Sequence, residues 1–308
     1  MNLPRSEHPR PLSPLLRGLL AAPLVALALH ATAFAQEDDG AQPSPAADTL
    51  RVCADPSNMP FSNEKKEGFE NKIAALLGKK LGVPVEYYWV AEQMGFGRNS
   101  LKRWIAAKDR YACDLVISAG SGFDVGKTTL PYYRSTFAMA FLKGKGLDAI
   151  NTPQDLADLP EAKRKDLRIG VFAGSPMADW AVSHGMISQM VGYRPQSGGY
   201  DVDPSDMVSK DLVNGDIDIA MIWGPIAGYY AKQADANIKV VPFGHQEGQP
   251  YDFPVSMAVR YGNDAWLNKV QGLINDNRDA IVAILEDYGV PLVPLRPEDR
   301  KVQEDDDD

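Results

Sequence analysis

Few residues in this chain have the types and spacing that chemistry needs. Of four histidines, only His184 and His245 lie beyond residue 35, and no Cys-x-x-Cys pair stands near either. That is too little, and too scattered, for a zinc site. Ser121 to Thr128 (SGFDVGKT) nearly matches the phosphate-cradling GxxxxGK[ST] loop. Serine replaces its first glycine, which lets the chain turn tightly enough for backbone N–H groups to close on phosphate. Gly120-Ser121-Gly122 and Ala173-Gly174-Ser175-Pro176 do not match the GxSxG nucleophile turn. A serine that opens a helix after a strand is usually its cap. Acidic residues are plentiful, but no spacing isolates an acid–base couple. The sequence therefore reads as a binding protein with no catalytic residue and no metal ligand.

The remaining candidates are loops. Asp55, Asn58 and Phe61 sit in ADPSNMPF, and Phe96 and Asn99 in GFGRN. Ser118, Gly120 and Asp124 follow an apolar run, Ser175 precedes a helix, and Trp223 and Pro225 bound another. In open α/β sheets ligands sit beyond the carboxyl ends of the strands, where such loops lie. The helix start at Ser175 suits an anion. Loop-and-cap architecture accounts for the same residues, so both readings stay open.

The elements that must position these loops follow from periodicity. Leu50 to Ala54, Val83 to Val90 and Leu115 to Ile117 read as strands. Phe69, Ile73, Leu76, Leu77 and Leu81 form a helical stripe, and Leu101, Trp104 and Ile105 mark a second helix. Alternating strands and helices predict a parallel, doubly wound sheet. Pro131 to Leu142 is then extended and apolar. A second α/β set follows, with Thr152 capping a helix, a strand from Leu167 to Phe172, and a helix from Ser175 to about His184. Ser205 to Val213 reads as a helix, Ile217 to Ile222 as a strand, Pro225 to Gln233 as a helix and Ile238 to Pro242 as a strand. Phe253 to Val259 is the second long extended run, with helices to Tyr288 beyond it. The chain thus leaves domain one, builds domain two and returns. The fold class is α/β: two doubly wound α/β domains joined by a two-strand hinge, with a cleft between them. Hinge positions are Phe137, Ala138 and Met139 on one crossing and Val255 and Ser256 on the other. Domain one spans 49–136 plus 257–297, and domain two spans 137–256.

The ends carry other signals. Arg5, Arg10 and Arg17 precede and enter a broken apolar stretch, Leu15 to Leu29, that ends in Ala33-Phe34-Ala35. The pattern predicts a cleaved secretory signal over 1–35 and a periplasmic protein. A polar linker (36–48) follows, and an acidic tail (298–308) closes the chain. Cleavage after Ala35 takes three of 32 basic and one of 41 acidic residues, leaving a net charge of -11. Such a surface disfavours nucleic acid and anionic membranes.

These motifs resemble a known family. CADPSNMPFSNEKKEGFENKIAALLGKKLG, YYWVAEQMGFGRNSL, ACDLVISA and LPYYRSTF are similar to the quinoprotein-dehydrogenase-associated binding proteins, the J-type (MxaJ, XoxJ) proteins of methanol oxidation clusters, within the type II periplasmic-binding-protein superfamily. The resemblance spans about Leu50 to Pro291. It implies a non-catalytic accessory protein that assists maturation or activation of a PQQ-dependent methanol or alcohol dehydrogenase. That enzyme and its cytochrome c are the implied partners. PQQ and calcium or a lanthanide would belong to the enzyme, with no cofactor of this chain's own. The alternative is a receptor of an ABC importer for a small solute. Amino-acid receptors of the superfamily use an arginine about a dozen residues beyond the Asp opening the third strand, whose fork clamps a carboxylate. Here Asp114 is followed at that distance by Val125, Gly126 and Lys127, and Trp223-Gly224 replaces the second, acidic anchor. Cys53 and Cys113 fall on neighbouring strands but at opposite ends, which works against the ~7 Å Cα separation a bridge requires. A disulfide and two buried thiols are both compatible with an oxidising compartment.

Overall fold

The computed structural model describes residues 48–92, 95–120, 123–194, 203–234 and 237–300. The expected signal, most of the linker and the end of the acidic tail lie outside them. β1 (Leu50–Ala54) is buried along its whole length, as a central strand demands. α1 (Phe69–Leu81) follows, opened by Gly68 and closed by Gly82 in the left-handed conformation. Only glycine fits at 68, because an added Cβ would lie 2.0 Å from the Phe61 carbonyl oxygen. β2 (Val85–Trp89) is half-exposed, and β3 (Leu115–Ala119) is mostly buried.

β4 (Tyr133–Leu142) is the first crossing strand. Beyond it come α2 (Pro153–Ala157), β5 (Ile169–Phe172), α3 (Pro176–Ser183), β6 (Met190–Tyr193), β7 (Ile219–Trp223), α4 (Gly224–Gln233) and β8 (Ile238–Pro242). The second crossing is β9 (Asp252–Val259), followed by α5 (Asp264–Asp276) and α6 (Arg278–Asp287). One ten-stranded sheet results, in the order β6-β5-β7-β4-β9-β3-β1-β2, with β8 on β4 and a short Lys127–Thr128 strand on β9. Tyr133 to Thr136 of β4 pair with Asp252 to Val255 of β9, and from Phe137 onward β4 pairs instead with β7 and β8. From Ser256, β9 passes to β3. The two strands therefore change partners at the hinge positions read from the sequence.

Apolar residues gather on both sides of these crossings. In lobe one, α1, α5 and α6 cover a cluster that includes Phe69, Leu77, Leu115, Met257, Trp266 and Leu285. In lobe two, Trp180 of α3 packs with Phe141, Ile169 and Phe243, while α4 and Met207–Leu212 cover the opposite face. At ~25 cal/mol per Å² of buried apolar surface, these clusters are the main stabilising force. The lobes also touch directly. Gly228 on α4 meets Gly289 so closely that a Cβ would stand 1.8 Å from its carbonyl oxygen. Lys232 donates to the Glu286 and Asp287 carbonyls at 2.8 and 3.0 Å, and Tyr229 stacks on Tyr288. Across the hinge, buried Arg134 on β4 binds Asp252 at 2.5 Å and Asp299 at 2.6 Å, while Arg296 binds Asp252 at 2.5 Å.

Three elements differ from the sequence reading. The helix expected around Leu101 to Ile105 is instead a one-turn helix, Phe96–Asn99, then a hairpin of Trp104–Ile105 with Arg110–Tyr111. Leu101 is buried, but Trp104 is 43 % exposed and packs edge-on against Tyr111, so no helical stripe exists there. Met207–Leu212 is wound as a π-helix. β6 is a half-exposed strand too short to show a pattern.

Candidate functional site

The segments after β2 and β3 converge on a recess of about 660 Å³ in lobe one. Ser118, Gly120 and Asp124 line it from the β3 side, Phe96 and Arg98 from the one-turn helix, and Glu92 from the segment after β2. Asn99, on the same turn, is exposed and outside that lining. Ser121 and Gly122 lie outside the described residues.

Asp55 is buried and occupied by its own loop. Its carboxylate accepts the Ser57 N–H at 2.7 Å and the Glu92 N–H at 2.5 Å, and its carbonyl accepts the Ser62 hydroxyl. Asn58 donates to the Glu92 carboxylate at 2.8 Å. The two residues thus tie the β1 loop to the β2 end. Phe61 packs on Phe69, with ring centroids 5.1 Å apart, and also reaches the apolar cluster of lobe two.

Behind the recess stands a feature the sequence reading passed over. Glu70, in the first turn of α1, is buried and shares its helix face with Ile73, Ala74 and Leu77. Burial first, then the charge of Glu92, pushes its carboxyl up to about 8, an effect that neighbouring Ser118 partly offsets and Asp55 adds to. The Ser118 hydroxyl is itself buried and makes no hydrogen bond of ordinary geometry. Glu92 is raised to about 7 by loss of hydration and then by the charge of Asp55, with the Asn58 hydrogen bond opposing. More than a third of Glu92 faces solvent, which screens part of that effect, so Glu70 dominates the titration of the cluster. A charged residue on an otherwise apolar helical stripe was the signal that marked Glu70.

Lobe two contributes less. Ser175 caps α3 by accepting the Ala178 N–H at 3.3 Å. Trp223 packs edge-on against Phe137 at 5.2 Å and near Phe253 at 6.0 Å, forming an aromatic group where the crossing strands meet β7. Pro225 is buried in the first turn of α4. Of the hinge residues, Ala138, Met139, Val255 and Ser256 are buried and Phe137 is half-buried.

Cys53 and Cys113 are disulfide-bonded with Cα atoms 5.4 Å apart. The objection from opposite strand ends fails because Cys113 lies between bends at Ala112 and Asp114, before β3 and not in its register. Asp114, next in sequence, is buried between Arg51 at 2.7 Å and Arg260 at 2.8 Å. Lys127, near the place of the missing arginine, pairs with Asp264 at 3.2 Å.

Neither histidine lies at the recess. His184 is stacked on Trp180, and His245 sits beside Asp252 and Arg296. Among the described residues no three His, Cys, Asp or Glu side chains are placed to hold a metal. Chemically, the recess offers a half-neutralised acid cluster with aromatic and arginine walls, suited to binding.

Comparison with known proteins places this geometry. No family model matches the chain. Protein MoxJ of Methylorubrum extorquens is 26 % identical over 292 residues, covering 90 % of this chain and 94 % of that protein. The crystal structure of the periplasmic binding protein XoxJ from Methylobacterium extorquens AM1 is 33 % identical with a TM-score of 0.64, covering 80 % of this chain and all of the other. The chain belongs to the XoxJ family of periplasmic binding proteins. MxaJ from Methlophaga aminisulfidivorans superposes with a TM-score of 0.63 at 27 % identity, covering 79 % of this chain and all of the other. The J-type resemblance drawn from the ADPSNMPF and PYYRS motifs is therefore correct, and so is the type II periplasmic-binding-protein fold. In this J-type chain the loop after β1 is bound to its own neighbours through Asp55 and Asn58.

Proposed function

We propose that this chain is a non-catalytic periplasmic accessory protein of methanol oxidation, which binds a PQQ-dependent methanol or alcohol dehydrogenase and assists its maturation or activation. The observation that carries this reading is the loss of the amino-acid clamp in a J-type chain. Lys127 is engaged by Asp264 where a receptor would present arginine, and Trp223 is packed among aromatics where a receptor would present an acid. PQQ and its calcium or lanthanide ion belong to the dehydrogenase, and its cytochrome c is a further neighbour. The expected secretory signal and the periplasmic relatives agree on the compartment.

The test is co-purification of the mature chain with the cognate dehydrogenase, with holoenzyme yield compared in its presence and absence. Association together with a raised yield is expected. No association and an unchanged yield would overturn the reading. One observation favours a second reading, an importer's receptor: the recess volume lies in the range of small-molecule sites. A solute that raises the melting temperature would support it, because a ligand binding only the native state stabilises that state.

A further inference from the structure

The outer edge of lobe one carries a second groove, of about 420 Å³, away from the recess. It runs along β2, the last strand of the sheet, whose one partner among the described residues is β1. The register pairs Leu50 with Val85 and Ala54 with Trp89. Leu50 N–H donates to the Pro84 carbonyl, and Val90 N–H donates to that of Ala54. In a parallel ladder this turns the amides of Glu86, Tyr88 and Val90 toward β1. The N–H and C=O groups of Val85, Tyr87 and Trp89 then face outward, and no described residue pairs with those three amides. An open edge of this kind is a template for another strand unless charge, proline or a covering segment blocks it.

The rim does not block an acidic strand; it attracts one. On one face Tyr87 and Trp89 stack at 4.7 Å with planes 7° apart, and Lys66 lies 5.4 Å from the Tyr87 ring centroid. Lys66 occupies a left-handed backbone position (φ 62°). On the other face the Trp104–Tyr111 hairpin delivers Lys108 and Arg110. Glu86, the acidic member of the lining, stands 3.6 Å from Arg110. Arg51, also in the lining, is already neutralised by Asp114. The groove is thus a basic, aromatic strip on a chain whose formal net charge is -9.

We propose that the β2 edge receives an extended acidic segment of a partner polypeptide, added to the sheet as a further strand. Outward donors and acceptors alternate along β2, which matches another backbone. A polyanion with acceptors alone would leave the outward carbonyls unpaired. Five residues of β2 at ~3.3 Å each offer about 17 Å of edge, enough for a short segment. Lys66 and Lys108, whose charge the lining does not offset as Glu86 does that of Arg110, select its sign, and Tyr87 and Trp89 supply an apolar wall. The inference stands on the sheet edge and does not depend on what the recess binds.

The experiment uses the mature chain and a fluorescent, alternating Glu–Val peptide. Anisotropy should show saturable binding that weakens with added salt, and hydrogen exchange should show slowed exchange at Tyr87 and Trp89. The Lys–Val counterpart should not bind. The surface variant Lys66→Glu/Lys108→Glu/Arg110→Glu, with unchanged circular dichroism, should weaken the Glu–Val peptide at least about tenfold. Three results overturn the proposal. One is absence of binding, and a second is indifference to charge reversal. The third is equal binding by a backbone N-methylated Glu–Val peptide or a single-stranded oligonucleotide, which would show attraction to polyanions without strand addition.

Discussion

Replacing Glu70 by glutamine should make the protein less sensitive to alkali. The carboxyl is buried on the α1 face with its pKa raised from 4.5 to about 8. Between those values the folded state holds a proton that the unfolded state has released, so this group's contribution to stability falls as pH rises through the window. With ~1.4 kcal/mol per unit, the group costs the fold about 1 kcal/mol at pH 5 and about 4 to 5 kcal/mol at pH 8.5. Glutamine has the shape and hydrogen-bonding groups of the protonated acid but does not titrate. The difference in unfolding free energy between Glu70→Gln and the parent should therefore widen by about 3 to 4 kcal/mol across that range, in favour of the variant. Urea unfolding followed by tryptophan fluorescence at several pH values measures it. Parallel pH profiles for the two proteins would refute the reasoning, because they would mean that Glu70 is already ionised in the fold.

Other perturbations follow from the same geometry. Cys53→Ala/Cys113→Ala opens a loop with a sequence separation of 60 and should cost about 4 kcal/mol on the chain-entropy model, read as a lower urea midpoint. Asp252→Asn should cost about 3 to 5 kcal/mol, since it strips a buried acceptor from Arg134 and Arg296. Burial opposes ionisation of Asp252, but Arg134 and Arg296 hold its pKa below the usual range. That stability should vanish on acidification through the depressed pKa, a step the variant lacks. Gly228→Ala has no room for its methyl group against Gly289 and should lower stability by about 1 to 3 kcal/mol, with the lobes parting in small-angle scattering.

Much of the fold was legible because its strands are short, apolar and punctuated. β1, α1, β8 and the two crossing strands sit where periodicity put them, and the hinge followed from two extended runs around an α/β set. The hairpin at Trp104 was not legible, since three apolar residues fit a helix turn as well as a strand and Trp104 packs on Tyr111, seven residues on. The recess was read in part. Ser118, Gly120, Asp124 and Phe96 line it because loops after strands converge by topology alone. The sequence offers Asp55 and Asn58 as cleft-lip candidates, yet they hold Glu92 across a separation that no local pattern encodes. The sequence leaves the disulfide open because strand register says nothing about a cysteine two residues before the strand.

The lobe-one cluster draws Leu50 to Leu115 from early in the chain and Met257, Trp266 and Leu285 from its last quarter. Export through the expected secretory signal delivers these parts in order, N-terminus first. Lobe two is built from one continuous stretch, whereas β3 lacks β9 along one side until Ser256 has followed Ala119. Until then β3 presents an unpaired edge of buried-type sequence, the kind of surface that seeds aggregation. The emerging chain is therefore most vulnerable in its first lobe. A product ending before β9 would leave that lobe unfinished although β1, α1, β2 and β3 are all present.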